Sequence, residues 1–160
     1  MTDIFISHPT PYNLKQEKFL LLLDETLSAR GLNPVNLGRQ NWNNKSPMQP
    51  ISEMMKSCKA AIIIGMERYH SYIGYEKGNI EHIHSYMTSP WIHIEAGMAY
   101  QASLPLLILK EKKILREGIF DPNISEYYVY EFEIEKMQKK ISNDLENMIS
   151  TWNNSFNKKQ

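Results

Sequence analysis

One carboxylate in this chain sits where chemistry could be done. It is Glu95, in "SPWIHIEAGMAY" (89–100), one helical turn after Trp91. Residues four apart share a helix face, so the acid and the indole point the same way. Gly97 and Ala99 leave space beside them for a ligand or another backbone. The positive end of a helix favours a carboxylate placed near it. An acid aimed into a cleft can stabilise a cation, attack as a nucleophile or move a proton. The same spacing also fits an ordinary first-turn glutamate that faces solvent and steadies its helix.

Other chemistry-bearing groups are sparser. "EHIH" holds Glu81, His82 and His84, and His93 follows. Two histidines at i, i+2 can ligate a metal from a strand. No cysteine or aspartate cluster completes that set, and no metal is expected. Cys58, the single cysteine, lies before an apolar run and reads as a core thiol. No Walker-type or G-x-G-x-x-G loop is present, so a kinase or dehydrogenase reading has no support.

These residues need a scaffold, and the chain supplies an alternation of β runs and amphipathic helices. "DIFISH" (3–8) reads as a strand. Residues 12–31 read as a helix with Leu14, Phe19, Leu20, Leu23 and Leu27 at three- and four-residue steps and Gly31 as its stop. "NPVNLG" (33–38) is a short strand, 39–48 a loop, and 49–58 a helix with Pro50 in its first turn. "AAIIIG" (60–65) is apolar throughout, as a strand covered on both faces should be. Residues 66–90 read as a long irregular segment rich in Tyr and His, suited to a lid or an assembly surface. A helix over 91–103, a strand over 105–110, a loop, a strand over 126–132 and a helix over 133–152 complete the chain. Residues 153–160 are expected to form a frayed tail.

Strands alternating with helices predict an α/β fold, a flavodoxin-like doubly wound parallel sheet of five strands in the order 2-1-3-4-5. Such sheets bind ligands beyond the carboxyl ends of their strands, where the order reverses. That places Ser7 and His8 after the first strand, Gly38, Arg39 and Trp42 after the second, and Gly65, Met66, Glu67 and Arg68 after the third. Arg39, Lys45 and Arg68 could pair with a pyrophosphate, or be solvated loop charges. Trp42 could stack on a planar ring, or cover the edge of the core.

Composition bounds the rest. A length of 160 residues with 42% apolar content fits one domain, assigned here to 1–152. Eighteen basic residues balance 18 acidic ones, which argues against a general nucleic-acid binder. No apolar run is long enough to span a membrane. The lone cysteine fits a reducing cytoplasm.

"IFISH" resembles the opening strand of TIR domains, and "SPWIHIEAG" is similar to their S-x-W-x-x-x-E segment. "EAGMAYQA" also resembles the E-x-G-x-A helix of nucleoside 2-deoxyribosyltransferases. The resemblance implies that Glu95 is a catalytic residue acting on an N-glycosidic bond. It implies NAD or a related nucleotide as substrate, no separate cofactor, release of nicotinamide and an ADP-ribose-type product. Trp91 would then pack under the ribose or fix the Glu95 rotamer, with Ser7 and His8 near the phosphates or the distal ribose. It further implies a homo-oligomer, a role in anti-phage defence and a downstream effector that reads the product. Pro9, Thr10 and Pro11 stand where TIR domains often carry an acid, and "MTSPW" lacks the aspartate of the deoxyribosyltransferases. The second departure favours the TIR side. A deoxyribosyltransferase and a non-catalytic adaptor or nucleotide sensor are the alternatives.

Overall fold

The computed structural model describes residues 1–37, 48–123 and 126–157. In chain order its elements are β1 (Thr2–Ser7), α1 (Leu14–Ser28), β2 (Leu32–Val35), α2 (Met48–Ser57) and β3 (Ala60–Gly65). There follow β4 (Tyr69–Glu76), β5 (Asn79–Met87), α3 (Pro90–Gln101), β6 (Leu106–Glu111), β7 (Val129–Phe132) and α4 (Asn143–Phe156). The main sheet is parallel, five-stranded and ordered β2-β1-β3-β6-β7. Leaving aside β4 and β5, this is the flavodoxin-like 2-1-3-4-5 order.

Alternation along the strands builds two cores. Ile4, Ile6, Ile62, Ile64, Leu107 and Leu109 face α1 and α4, meeting Phe19, Leu23, Leu27, Leu145, Ile149 and Trp152. Their neighbours Phe5, Ala61, Ile63 and Ile108 face α2 and α3, meeting Ile51, Met55, Ile92, Ala96 and Ala99. A strand buried on both faces must be apolar at every position, which explains "AAIIIG". Pro34, which cannot donate to a ladder, is tolerated because β2 is an edge strand. α1 starts at the Asn13 side chain, which accepts from the Gln16 N–H at 3.0 Å. Gly31, with φ +76°, ends the turn after α1, and its carbonyl accepts from Thr2 N–H at 2.8 Å.

Four expectations change. The stretch 66–90 is not irregular: β4 and β5 form a separate antiparallel hairpin. Its two-residue turn is Lys77-Gly78, both at positive φ (50° and 85°), the type I′ conformation that matches strand twist. The last helix does not run from 133. A 3₁₀ turn at Ile134–Lys136 comes first, and α4 begins after Ser142, whose hydroxyl accepts from Leu145 N–H at 3.3 Å. Met137, Ile141, Leu145 and Ile149 are all buried at four-residue steps, which imitates one continuous helix in the sequence. α4 also continues through Phe156, whose ring meets Trp152 edge-on at 4.9 Å, so residues 153–156 are helical and not frayed. β2 and β7 are each shorter than expected.

Candidate functional site

The carboxyl ends of β1 and β3 and the start of α3 enclose a cleft of about 210 Å³. His8, Pro9 and Thr10 line it from β1, Arg68 from beyond β3, and Ser89, Trp91, Ile92 and Glu95 from α3. Leu37 and Ile51 complete the wall. Sequence positions some eighty residues apart therefore meet at the reversal point of the strand order, as the topology requires.

Glu95 is held by Ser7. The Ser7 Oγ donates a hydrogen bond to Glu95 Oε2. Ser7 is fully buried at the end of β1, and Glu95 is half-buried. Burial pushes the Glu95 carboxyl above the ordinary glutamate range, and the Ser7 hydrogen bond partly offsets this. The helix-dipole argument weakens: α3 begins at Pro90, no acid lies in its first turn, and Glu95 stands in the second. The carboxylate is thus set by tertiary contact, neither capping its helix nor freely solvated. Trp91 is 39% exposed beside it, so the indole is available to a ligand and is not a core anchor.

His8 is fixed in one tautomer by its neighbours. Nδ1 lies 2.9 Å from the Pro9 carbonyl, which can only accept, so Nδ1 carries the hydrogen. Nε2 then accepts from Asn36 Nδ2 at 3.3 Å.

Among the described residues Arg68 is the cation that lines the cleft, and a buried polar clasp holds the backbone just before it. The preceding Glu67 N–H donates to Glu111 Oε2 at 3.0 Å, and the Glu67 carbonyl accepts from Gln16 Nε2 at 2.9 Å. Gln16 and Glu111 are both buried. Lys113 pairs with the side chains of Glu67 and Glu111, and these anions push its ammonium pKa well up. Arg68 N–H donates to the Met87 carbonyl at 2.9 Å, joining the cleft to the base of the hairpin.

Four expected residues do not line the cleft themselves: Ser7 is buried against Glu95, Glu67 pairs with Lys113, and Met66 and Gly65 face the core. The Met66 side chain is buried in the core under α1 and α4. Gly65 makes room for Phe120: a Cβ there would lie 2.8 Å from the ring. Gly38, Arg39, Trp42 and Lys45 lie outside the described residues. The clasp went unread in the sequence, although Gln16 gave a signal as a polar residue on the buried stripe of Phe19, Leu23 and Leu27.

Larger hollows exist but offer less chemistry. One of about 610 Å³ runs past Tyr12, Glu67, Glu111 and Glu135, whose carboxylates are paired with Lys15 and Lys113. Another of about 490 Å³ lies between α2 and α3, where Met55, Ile94 and Met98 meet Ser52, Lys56 and Gln101. His70 and His84 lie in the hairpin with Tyr72 and Tyr86, while His93 packs edge-on against Phe120 at 5.4 Å. Among the described residues no three His, Cys, Asp or Glu side chains are grouped to hold a metal. No described helix is long and apolar enough to cross a membrane.

No family model matches the sequence, and no curated protein does. Among solved structures the chain is similar to the CMP N-glycosidase BcmB of Clostridium botulinum. The TM-score is 0.57 at 16% identity, over 94% of this chain and 99% of that one. At that identity the likeness shows a shared fold.

Proposed function

We propose that this protein cleaves the N-glycosidic bond of a ribonucleotide, with Glu95 as the catalytic carboxylate. The observation that carries the reading is the Ser7–Glu95 hydrogen bond at the carboxyl edge of the sheet, facing a cleft that Arg68 lines. Breaking such a bond develops positive charge at C1′ of the ribose. A carboxylate on that face stabilises the charge or attacks to give a ribosyl intermediate that water then hydrolyses. The Ser7 hydroxyl orients one oxygen of Glu95 and leaves the other free. Arg68 supplies the charge complement for a phosphate, and Trp91 a flat apolar surface for the sugar or base.

NAD is the substrate that the sequence resemblance implies. Nicotinamide leaves neutral from a pyridinium, so one carboxylate suffices and no second acid is required. An ADP-ribose-type product would serve as a signal or mark NAD depletion in anti-phage defence. A mononucleotide is the second reading, favoured by the small cleft and by the likeness to a CMP N-glycosidase. A pyrimidine leaving group needs a proton or a hydrogen bond as it departs, which this reading must supply from a group of the cleft or from water.

Purified protein incubated separately with NAD, with CMP and other nucleoside monophosphates, and with a deoxynucleoside plus a free base separates these readings by chromatography of the released base. Release from NAD alone selects the first reading, and from a monophosphate alone the second. Base exchange selects a deoxyribosyltransferase. No turnover of any of them, with nucleotide binding retained, selects a sensor and defeats the enzyme reading.

A further inference from the structure

The hairpin does not belong to either core. Its pairing register places Tyr69, Ile73, Tyr75, Ile80 and Ile83 on one face of the ribbon, with Ser71, Ser85 and Met87 between and below them. The opposite face is distinct and carries a cluster of rings, with His70 stacked on Tyr86 and Tyr72 edge-on to His84. On the first face the five large apolar side chains are 49–68% exposed. A two-stranded ribbon is marginal in water by itself and gains stability when a second layer covers its apolar side.

We propose that this face is a homodimer interface, in which two copies stack their β4–β5 ribbons face to face. Two observations select a second copy as the occupant. First, none of the eight positions on the face is charged; Glu76 and Lys77 lie at the tip and Glu81 at the bulge. The Arg68 guanidinium lies over the Tyr69 ring, 5.7 Å from its centroid, so that cation sits at the base of the ribbon; the uncharged remainder of the face meets its own copy without like-charge repulsion and offers little handle to a partner recognised by electrostatics. Second, the area suffices. The five side chains expose on the order of 500–600 Å², so two copies would remove about 1,100 Å² from water, close to the low end of specific interfaces. Sheet-on-sheet stacking is the packing that two such faces admit. The base of the ribbon carries Arg68 and Ser89, which line the cleft, so the contact lies beside the site and steadies it from outside.

Sedimentation velocity of the full chain, from low-micromolar to several hundred micromolar, reads this directly. The wild type is expected to move from monomer to dimer over that range. Ile73→Thr/Ile83→Thr keeps β-branched residues in the strands but removes apolar area. Each substitution counts twice in a two-fold contact, so the dissociation constant should rise roughly a hundredfold. Should that variant misfold, Ile83→Cys decides. Position 83 is mid-ribbon on the proposed face, and in a two-fold stack centred on the ribbon mild oxidation should cross-link two chains while buried Cys58 stays silent. A wild type that stays monomeric throughout overturns the proposal and assigns the face to another partner or to a ligand. A dimer indifferent to Ile73→Thr/Ile83→Thr, or an Ile83→Cys protein that does not cross-link, overturns it by placing the contact elsewhere.

Discussion

Replacing Glu95 by glutamine separates charge from shape. The amide oxygen can still accept from Ser7, so the position of the side chain holds. What is lost is one negative charge facing the ribose. A carboxylate about 4 Å from a full positive charge, at an effective dielectric of about 20, contributes ~4 kcal/mol. Charge at C1′ is shared with the ring oxygen, which trims this to ~3–4 kcal/mol, or a loss of roughly two to three decades in rate. Ground-state binding rests on Arg68 and Trp91 and should change little, so kcat falls and KM holds. Stability moves in the other direction. Burial raises the carboxyl pKa in the folded state, so the stability Glu95 contributes is full below its unfolded value and is lost as pH rises through the folded one. The wild type therefore carries an ionisation cost at neutral pH that glutamine lacks. Glu95→Gln should melt at the same or a higher temperature at pH 7, with the gap closing below about pH 4. The same raised pKa places the acid limb of the wild-type rate profile above the ordinary glutamate range. The assay is base release per folded molecule alongside a thermal melt at both pH values. Turnover within about threefold of wild type would refute the catalytic role.

The other predictions follow from the contacts of the site. Ser7→Ala should slow turnover by about ten- to a hundredfold and move the acid limb to higher pH, because the hydroxyl both orients the carboxylate and lowers its pKa. In the Glu95→Gln background it should add almost nothing, which a double-mutant cycle reads directly. Gln16→Met should raise KM about tenfold for a phosphorylated substrate and much less for the nucleoside, because the clasp acts through Arg68; an equal effect on both would reduce it to a structural tie. Gly65→Ala should cost about 1–3 kcal/mol in a denaturant melt, since its methyl would meet the Phe120 ring, and Phe120→Leu should restore part of the loss.

The sequence by itself determined the sheet. Continuous apolar runs at 60–65 and 106–109 have no stable place except between two layers of helices, and the short connections leave one handed way to wind them. It also drew attention to Glu95 through the likeness of "SPWIHIEAG" to the S-x-W-x-x-x-E segment, while the spacing alone left an ordinary first-turn glutamate open. Local patterns misled where two different elements share one spacing. The four-residue steps from Met137 to Ile149 run through a break that only the Ser142 cap marks, and the Tyr and Ile of the hairpin alternate without burying either side. What the tertiary structure alone decided is the state of Glu95. Its spacing allowed a solvated first-turn acid, yet β1 brings Ser7 against it from 88 residues away. The clasp around Glu67 is of the same kind, because Gln16 and Glu111 come from separate elements and have no common local signature. A side chain's pKa and orientation depend on groups distant along the chain, and their positions follow only once the layers have packed.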